Sequence, residues 1–138
     1  MRRTMIPKES EIKRSWHLVD IEGRVLGRAA SGVALLLMGK DKPFFVPHLD
    51  CGDYVVIINA SKVAVTGRKL TRKVYRHHTG YPGGFREKTL AERLKGDSRV
   101  VIMAAVAGML PKNKLRRNRL RRLKVFSGSN HPYSDKFD

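Results

Sequence analysis

Apolar and polar positions recur with a different period in each stretch of the chain, and those periods predict its elements. Trp16, Leu18 and Ile21, with Val19, mark a short strand that ends at the Glu22–Gly23 turn. In the following GRVLGRAASGVALLLMGK, Ala29, Val33, Leu36 and Leu37 share one face at helical spacing, and Gly39 stops the helix. Gly32 lowers helix propensity there by about 1 kcal/mol relative to alanine, so it is expected to serve close approach of a neighbouring backbone. DKPFFVPHLDCGD, with its two prolines, reads as a loop packed by Phe44, Phe45 and Val46. YVVIIN then forms a nearly continuous β-branched run, the pattern of a central parallel strand covered on both faces.

The second half alternates basic and apolar stretches. KVAVTG reads as a further strand or a strand-turn element, RKLTRKVYRHH is mixed, and GYPGG is a loop. Leu90 and Leu94 lie four apart, on one face of a short helix. Asp97 or Ser98 caps the next helix, VVIMAAVAGML, which is apolar almost all round and is expected to be buried until Pro111 ends it. In KNKLRRNRLRRLK, residues 112–124, Leu115, Leu120 and Leu123 tether the segment and the cations are expected to point outward. VFSG suggests a short strand and turn. The organisation expected is an extended arm at 1–15, one domain at 16–128 and an irregular tail at 129–138. Strand, helix and buried strand make that domain α/β.

Composition limits the function. Hydrophobic residues make up 41% of the 138, too many for a wholly disordered basic chain. No apolar run approaches the roughly 20 residues that cross a bilayer. The opening MRRTMIPKESEIKR lacks the apolar centre of a secretory signal, and the single Cys51 closes no intrachain disulfide, so a cytoplasmic or stromal setting is expected. The net charge of +17 is uneven. Residues 1–53 hold 9 basic and 7 acidic side chains, residues 54–138 hold 20 and 5. Such a field selects a polyanion, RNA or DNA, with an anionic membrane as the competitor.

The 112–124 segment carries 8 basic residues and no acid. Arg116, Arg117, Arg119, Arg121 and Arg122, with Lys112, Lys114 and Lys124, are the candidates for phosphate, because a guanidinium fork holds phosphate oxygens bidentately. The alternative is a solvated charge run. Tyr75, Arg76, His77, His78 and Tyr81 form a second candidate. Flat rings can stack on exposed bases, and Gly80, Gly83 and Gly84 let the backbone approach closely. The alternative there is a loop whose rings pack on the protein. Lys69, Arg72 and Lys73 precede it. Arg24 and Arg28 flank the start of the first helix, where free N–H groups suit a phosphate as well as they suit a plain cap. His77–His78 and the His48, Asp50, Cys51, Asp53 group lack metal-ligand spacing. Neither a nucleotide fingerprint nor a Ser–His–acid set stands out, so no metal, cofactor, small-molecule substrate or enzymatic activity is expected.

In order along the chain, WHLVD, GRVLGRAAS, KPFFVPHLDCGDYVVIINA, KVAVTGRKL, YRHHTGYPGG and GMLPKNKLRRNRLRRLKVFSG resemble the large-subunit ribosomal protein 13 family in its bacterial form, over about Trp16 to His131. The resemblance implies a three-layer domain with a four-stranded, mostly parallel sheet between helices. It implies binding of large-subunit ribosomal RNA, a role early in assembly and contacts with neighbouring ribosomal proteins. It also implies RNA-facing roles for Gly80–Gly84 with Arg76, His77 and His78, for Met109–Asn113, and for the basic segment beyond. Arg116 departs from the glycine common in the bacterial relatives. Without a transit extension, a bacterial cytoplasm is expected over an organelle. The competing function is an RNA- or DNA-binding regulator outside the ribosome.

Overall fold

The computed structural model describes residues 6–137, so the first five residues of the expected arm lie outside the described part. Three parallel strands form the main sheet: β1 (Trp16–Asp20), β2 (Tyr54–Ile58) and β5 (Leu123–Val125), in the order β1-β2-β5. β2 is central, with Val55 paired to His17 on one side and to Leu123 on the other. Its Val55, Val56 and Ile57 are all at most 1% exposed, as the β-branched run leads one to expect.

Alternation gives the sheet two different faces. Val55, Ile57 and Leu123 join the main core with Ala30, Val33 and Leu37 of helix α1 (Leu26–Met38). Val101, Ile102 and Val106 of helix α4 (Ser98–Met109) complete it. The intervening residues Trp16, Leu18, Tyr54 and Val56 look the other way. There Trp16 stacks on Tyr54 at 4.4 Å and on Tyr133 at 5.3 Å, with Phe137 edge-on at 6.4 Å. So the second face is covered by aromatic side chains of the C-terminal segment, and the expectation of a sheet lying between helices is corrected.

The expected four strands are corrected as well. Between β2 and α2 (Lys69–Arg72), KVAVTG never extends into a strand: a 3-10 turn over Ala60–Lys62 takes in its first residue and Gly67 at φ +65° ends it. One parallel bridge, Val25 to Ala64, is all that forms. The mixed RKLTRKVYRHH divides into α2 and strand β3 (Val74–His78). β3 pairs with β4 (Phe85–Thr89) as a separate antiparallel hairpin. Two short helices remain. α3 (Leu90–Gly96) starts from a capping box in which Thr89 and Glu92 exchange bonds, and α5 (Leu115–Arg121) leads into β5.

Two glycines fix the crossing behind α1. Gly39 ends the helix at φ +71°, and a Cβ there would lie 2.4 Å from the Cys51 carbonyl oxygen. A Cβ on Gly52 would lie 1.7 Å from the Leu37 carbonyl oxygen. Gly32, by contrast, has nothing within 4 Å of its Cβ position, so the close approach expected there is absent. Asp97 caps α4 by accepting from the Arg99 N–H at 3.0 Å. That helix is not buried all round, since Val100, Met103 and Met109 are each more than 40% exposed.

Candidate nucleic-acid interface

At the C-terminal ends of β1 and β2, segments distant in sequence meet around one cleft. α1 begins at Val25 without a side-chain cap. Its Leu26 N–H is taken by the Ala64 carbonyl at 2.9 Å, and the amides of Gly27 and Arg28 have no intrahelical acceptor. That positive helix end borders a cleft of about 480 Å³, whose wall includes Gly27, Thr66, Lys69, Lys73, Gly108 and Met109 over a floor of Leu26, Leu90 and Ala105. Arg24 and Arg28, flanking the helix start, and Arg72, between the two lysines, are all exposed. The cleft is thus apolar and small-walled below, cationic around the rim, and free of acidic side chains in its lining. Such a wall admits the sugar edge of a polynucleotide while lysines reach its phosphates.

The β3–β4 hairpin projects from the same side of the fold, since Lys73 precedes β3 and its carbonyl accepts from the Leu90 N–H at 2.9 Å. Its tip is shaped by glycine. Gly80 and Gly83 hold φ +87° and +69°, and a Cβ on Gly84 would lie 2.0 Å from the Thr79 hydroxyl. The Thr79 and Gly84 backbones close the loop at 3.0 Å, and the Gly80 N–H donates to His78 Nδ1 at 2.9 Å. Tyr81 is thereby displayed 76% exposed at the tip, beside exposed His77, His78 and Arg76, the last 3.5 Å from Glu87. Tyr75 differs. The Arg93 guanidinium lies 4.3 Å from its ring centre and the Lys73 ammonium 5.4 Å, so this ring is occupied within the protein.

The basic segment of residues 112–124 splits into two populations. Lys112, Asn113, Lys114, Arg117 and Arg121 are exposed, while Arg116 and Lys124 are half-buried and Arg116 Nε has no partner among the described residues. Arg119 and Arg122, expected to face outward, are 1% and 7% exposed, which corrects that expectation. Arg122 forks onto Asp50, with Nη1 and Nη2 each 2.5 Å from a carboxylate oxygen, and Arg119 Nε stands 3.7 Å away. The cause is helical spacing: Leu115, Arg119 and Arg122 follow one another at i, i+4 and i+7, so the inward stripe of α5, continued by its C-cap residue Arg122, carries two arginines.

Those arginines belong to an internal polar staple on the DCGD loop. Burial alone would raise the Asp50 carboxyl, but the Arg122 hydrogen bond and charge, with Arg14 and Arg119 beyond, hold it below its usual range. For Asp53, burial likewise opposes the charge and is outweighed by Lys42, by His17 Nε2 at 2.8 Å and by the Ser15 N–H at 3.0 Å. The loop's carboxylates are therefore spent on protein cations, and Cys51 is a buried thiol. Sequence reasoning missed Arg14, whose Nη1 donates to the Gly52 carbonyl at 2.7 Å, and Arg93 beneath the hairpin. Arg14 sits in what reads as an unpatterned arm. The hairpin that brings Arg93 to Tyr75 left only the GYPGG turn as a signal, since its strands VYRHH and FREKT lack apolar alternation.

The family model described as Ribosomal protein L13 matches residues 14–132. Among similar proteins, that of Dehalococcoides mccartyi is 53% identical over 95% of this chain and 92% of its own length. That of Syntrophus aciditrophicus is 51% identical over 94% and 91%. That of Syntrophotalea carbinolica is 49% identical over 95% and 92%. Each is named large ribosomal subunit protein uL13.

Proposed function

The chain belongs to the ribosomal protein L13 family, and from that premise we propose that it acts within the large ribosomal subunit by holding folded ribosomal RNA. The role is structural. A rigid α/β domain sets cations at fixed separations, RNA phosphates settle onto them, and a tertiary arrangement of the RNA persists that its own charge would oppose. No bond is made or broken.

The observation that carries this reading is the cleft gathered from α1, α2, α3 and the end of α4, whose lining holds Lys69 and Lys73 and no acidic side chain. The proposed RNA-facing set is Arg24, Arg28, Lys69, Arg72, Lys73, Arg76, the Gly80–Gly84 tip with His77, His78 and Tyr81, and Lys112, Asn113, Lys114, Arg116, Arg117, Arg121 and Lys124. Arg119 and Arg122 support it from inside, and Tyr75 acts through Arg93 and Lys73. The exposed apolar residues Val100 and Met103 on α4 suit a neighbouring ribosomal protein. No helix among the described residues is long and apolar enough to cross a membrane, and the proposed setting is the cytoplasmic ribosome.

A salt series on the full chain with a large-subunit ribosomal RNA fragment tests this face. Affinity should fall steeply with salt. Glutamine at Lys69, Lys73, Lys112 and Arg117 together should reduce the logarithmic slope by about one for each phosphate no longer neutralised. A folded variant with wild-type affinity and slope would remove this face from the RNA site.

A further inference from the structure

A second cleft lies at the other end of the sheet. It is about 470 Å³, within the size range of small-ligand sites, and is walled by Arg14, His48, Tyr54, Leu115, Asn118 and Arg121. Tyr54 opens β2, whereas Val25 and Val65 of the first cleft follow the ends of β1 and β2. A five-residue strand at about 3.3 Å per residue therefore separates the two. We propose that this second cleft takes one unpaired nucleotide of the bound RNA, an inference that rests on the ribosomal RNA reading above.

The chemistry of the wall selects that ligand. Two carboxylates, Asp50 and Glu9, border the cleft against three guanidinium groups, Arg14, Arg121 and Arg122, so one positive charge remains. The Asp50–Arg122 pair is satisfied internally, and Arg14 is steadied by its bond to Gly52. Among the described residues, the side chains of His48, Asn118 and Arg121 and the Tyr54 hydroxyl have no such partner. They come from three separate parts of the chain, the loop, β2 and α5, and converge on one opening. The Tyr54 ring is locked by Trp16 at 4.4 Å and 9° between planes, which gives the cleft a rigid aromatic side at little cost in entropy. Leu115 adds an apolar surface. Phosphate suits Arg121 and Arg14, a base suits the Tyr54 and Leu115 side, and the Asn118 amide offers one donor and one acceptor direction to a base edge. A duplex does not present its bases this way, so the nucleotide is an extruded or single-stranded one.

Chemical acylation of ribose 2′-hydroxyls reads this directly, nucleotide by nucleotide, on large-subunit ribosomal RNA bound by the full chain. Wild-type protein should protect at least one unpaired nucleotide. The folded variant Asn118→Ala/Arg121→Gln should need at least about tenfold more protein to protect it, the size of one charge-assisted hydrogen bond. Protections that respond to Lys69→Gln/Lys73→Gln should stay as they were. A footprint unchanged in the Asn118/Arg121 variant overturns the assignment and leaves the cleft to a carboxylate of a protein neighbour. Uniform loss of the whole footprint also overturns it, because the residues would then act through a diffuse field and not on one nucleotide. A wild-type chain that gives no footprint defeats the ribosomal RNA reading, and this site with it.

Discussion

Arg117 and Arg122 stand five residues apart in one basic run and do opposite jobs. Arg122 is an interior cation whose fork, 2.5 Å from both Asp50 oxygens, also points at the Leu37 and Asp53 carbonyls at 3.4 Å. Arg122→Gln leaves the part-buried Asp50 carboxylate without its main partner, and should cost about 2–3 kcal/mol in urea unfolding. Arg117→Gln, on the exposed side, should stay within about 0.5 kcal/mol of wild type and lower RNA affinity instead. Equal stability losses in both variants would contradict the division of α5. The same staple sets an acid limit. Asp50 and Asp53 are held below the ordinary aspartate value of 3.8, so as pH falls the unfolded chain takes up protons first. Their contribution is complete above that value and is lost as pH falls through the lower folded values. The urea midpoint should therefore drop between about pH 5 and about pH 3, and less so in Asp50→Asn. A midpoint equally pH-sensitive in both proteins would place the acid response elsewhere.

At the scale of elements, the parts legible in the sequence were those whose period is set by burial on known sides. β2 reads as a continuous β-branched run because helices cover one face and the C-terminal aromatics the other. α1 and its Gly39 stop read equally well. Ile57→Ala should cost about 2–5 kcal/mol, and amide exchange should be slowest over Tyr54–Ile58 and fast at the exposed tip between Thr79 and Gly83. Fast exchange through β2 in a folded sample would contradict its central place. What escaped the sequence depended on partners far away in the chain. The inward arginines of α5 needed Asp50, some 70 residues earlier, to make an interior cation tolerable. β4, as FREKT, is largely exposed and has no apolar alternation to announce it. The fourth strand implied by family resemblance shrank to the Val25–Ala64 bridge between two turns. The basic character of the site was legible; which of its cations face outward was not.

At the scale of the whole molecule, the +17 charge is arranged around a neutralised interior. Asp50 and Asp53 consume cations inside, while outward cations border one end of the sheet, line the hairpin and run along α5 to the other end. A protein with outward cations at both ends suits enclosure by folded RNA better than it suits a single groove on a free duplex. Family membership favours a subunit constituent over a regulator that binds nucleic acid outside the ribosome. The most direct test is sedimentation of large subunits carrying the full chain, after a wash in salt high enough to strip loosely held basic proteins. The chain should remain in the large-subunit peak at one copy per particle. Its release to the top of the gradient, with the subunits otherwise intact, would contradict the claim that it is built into them.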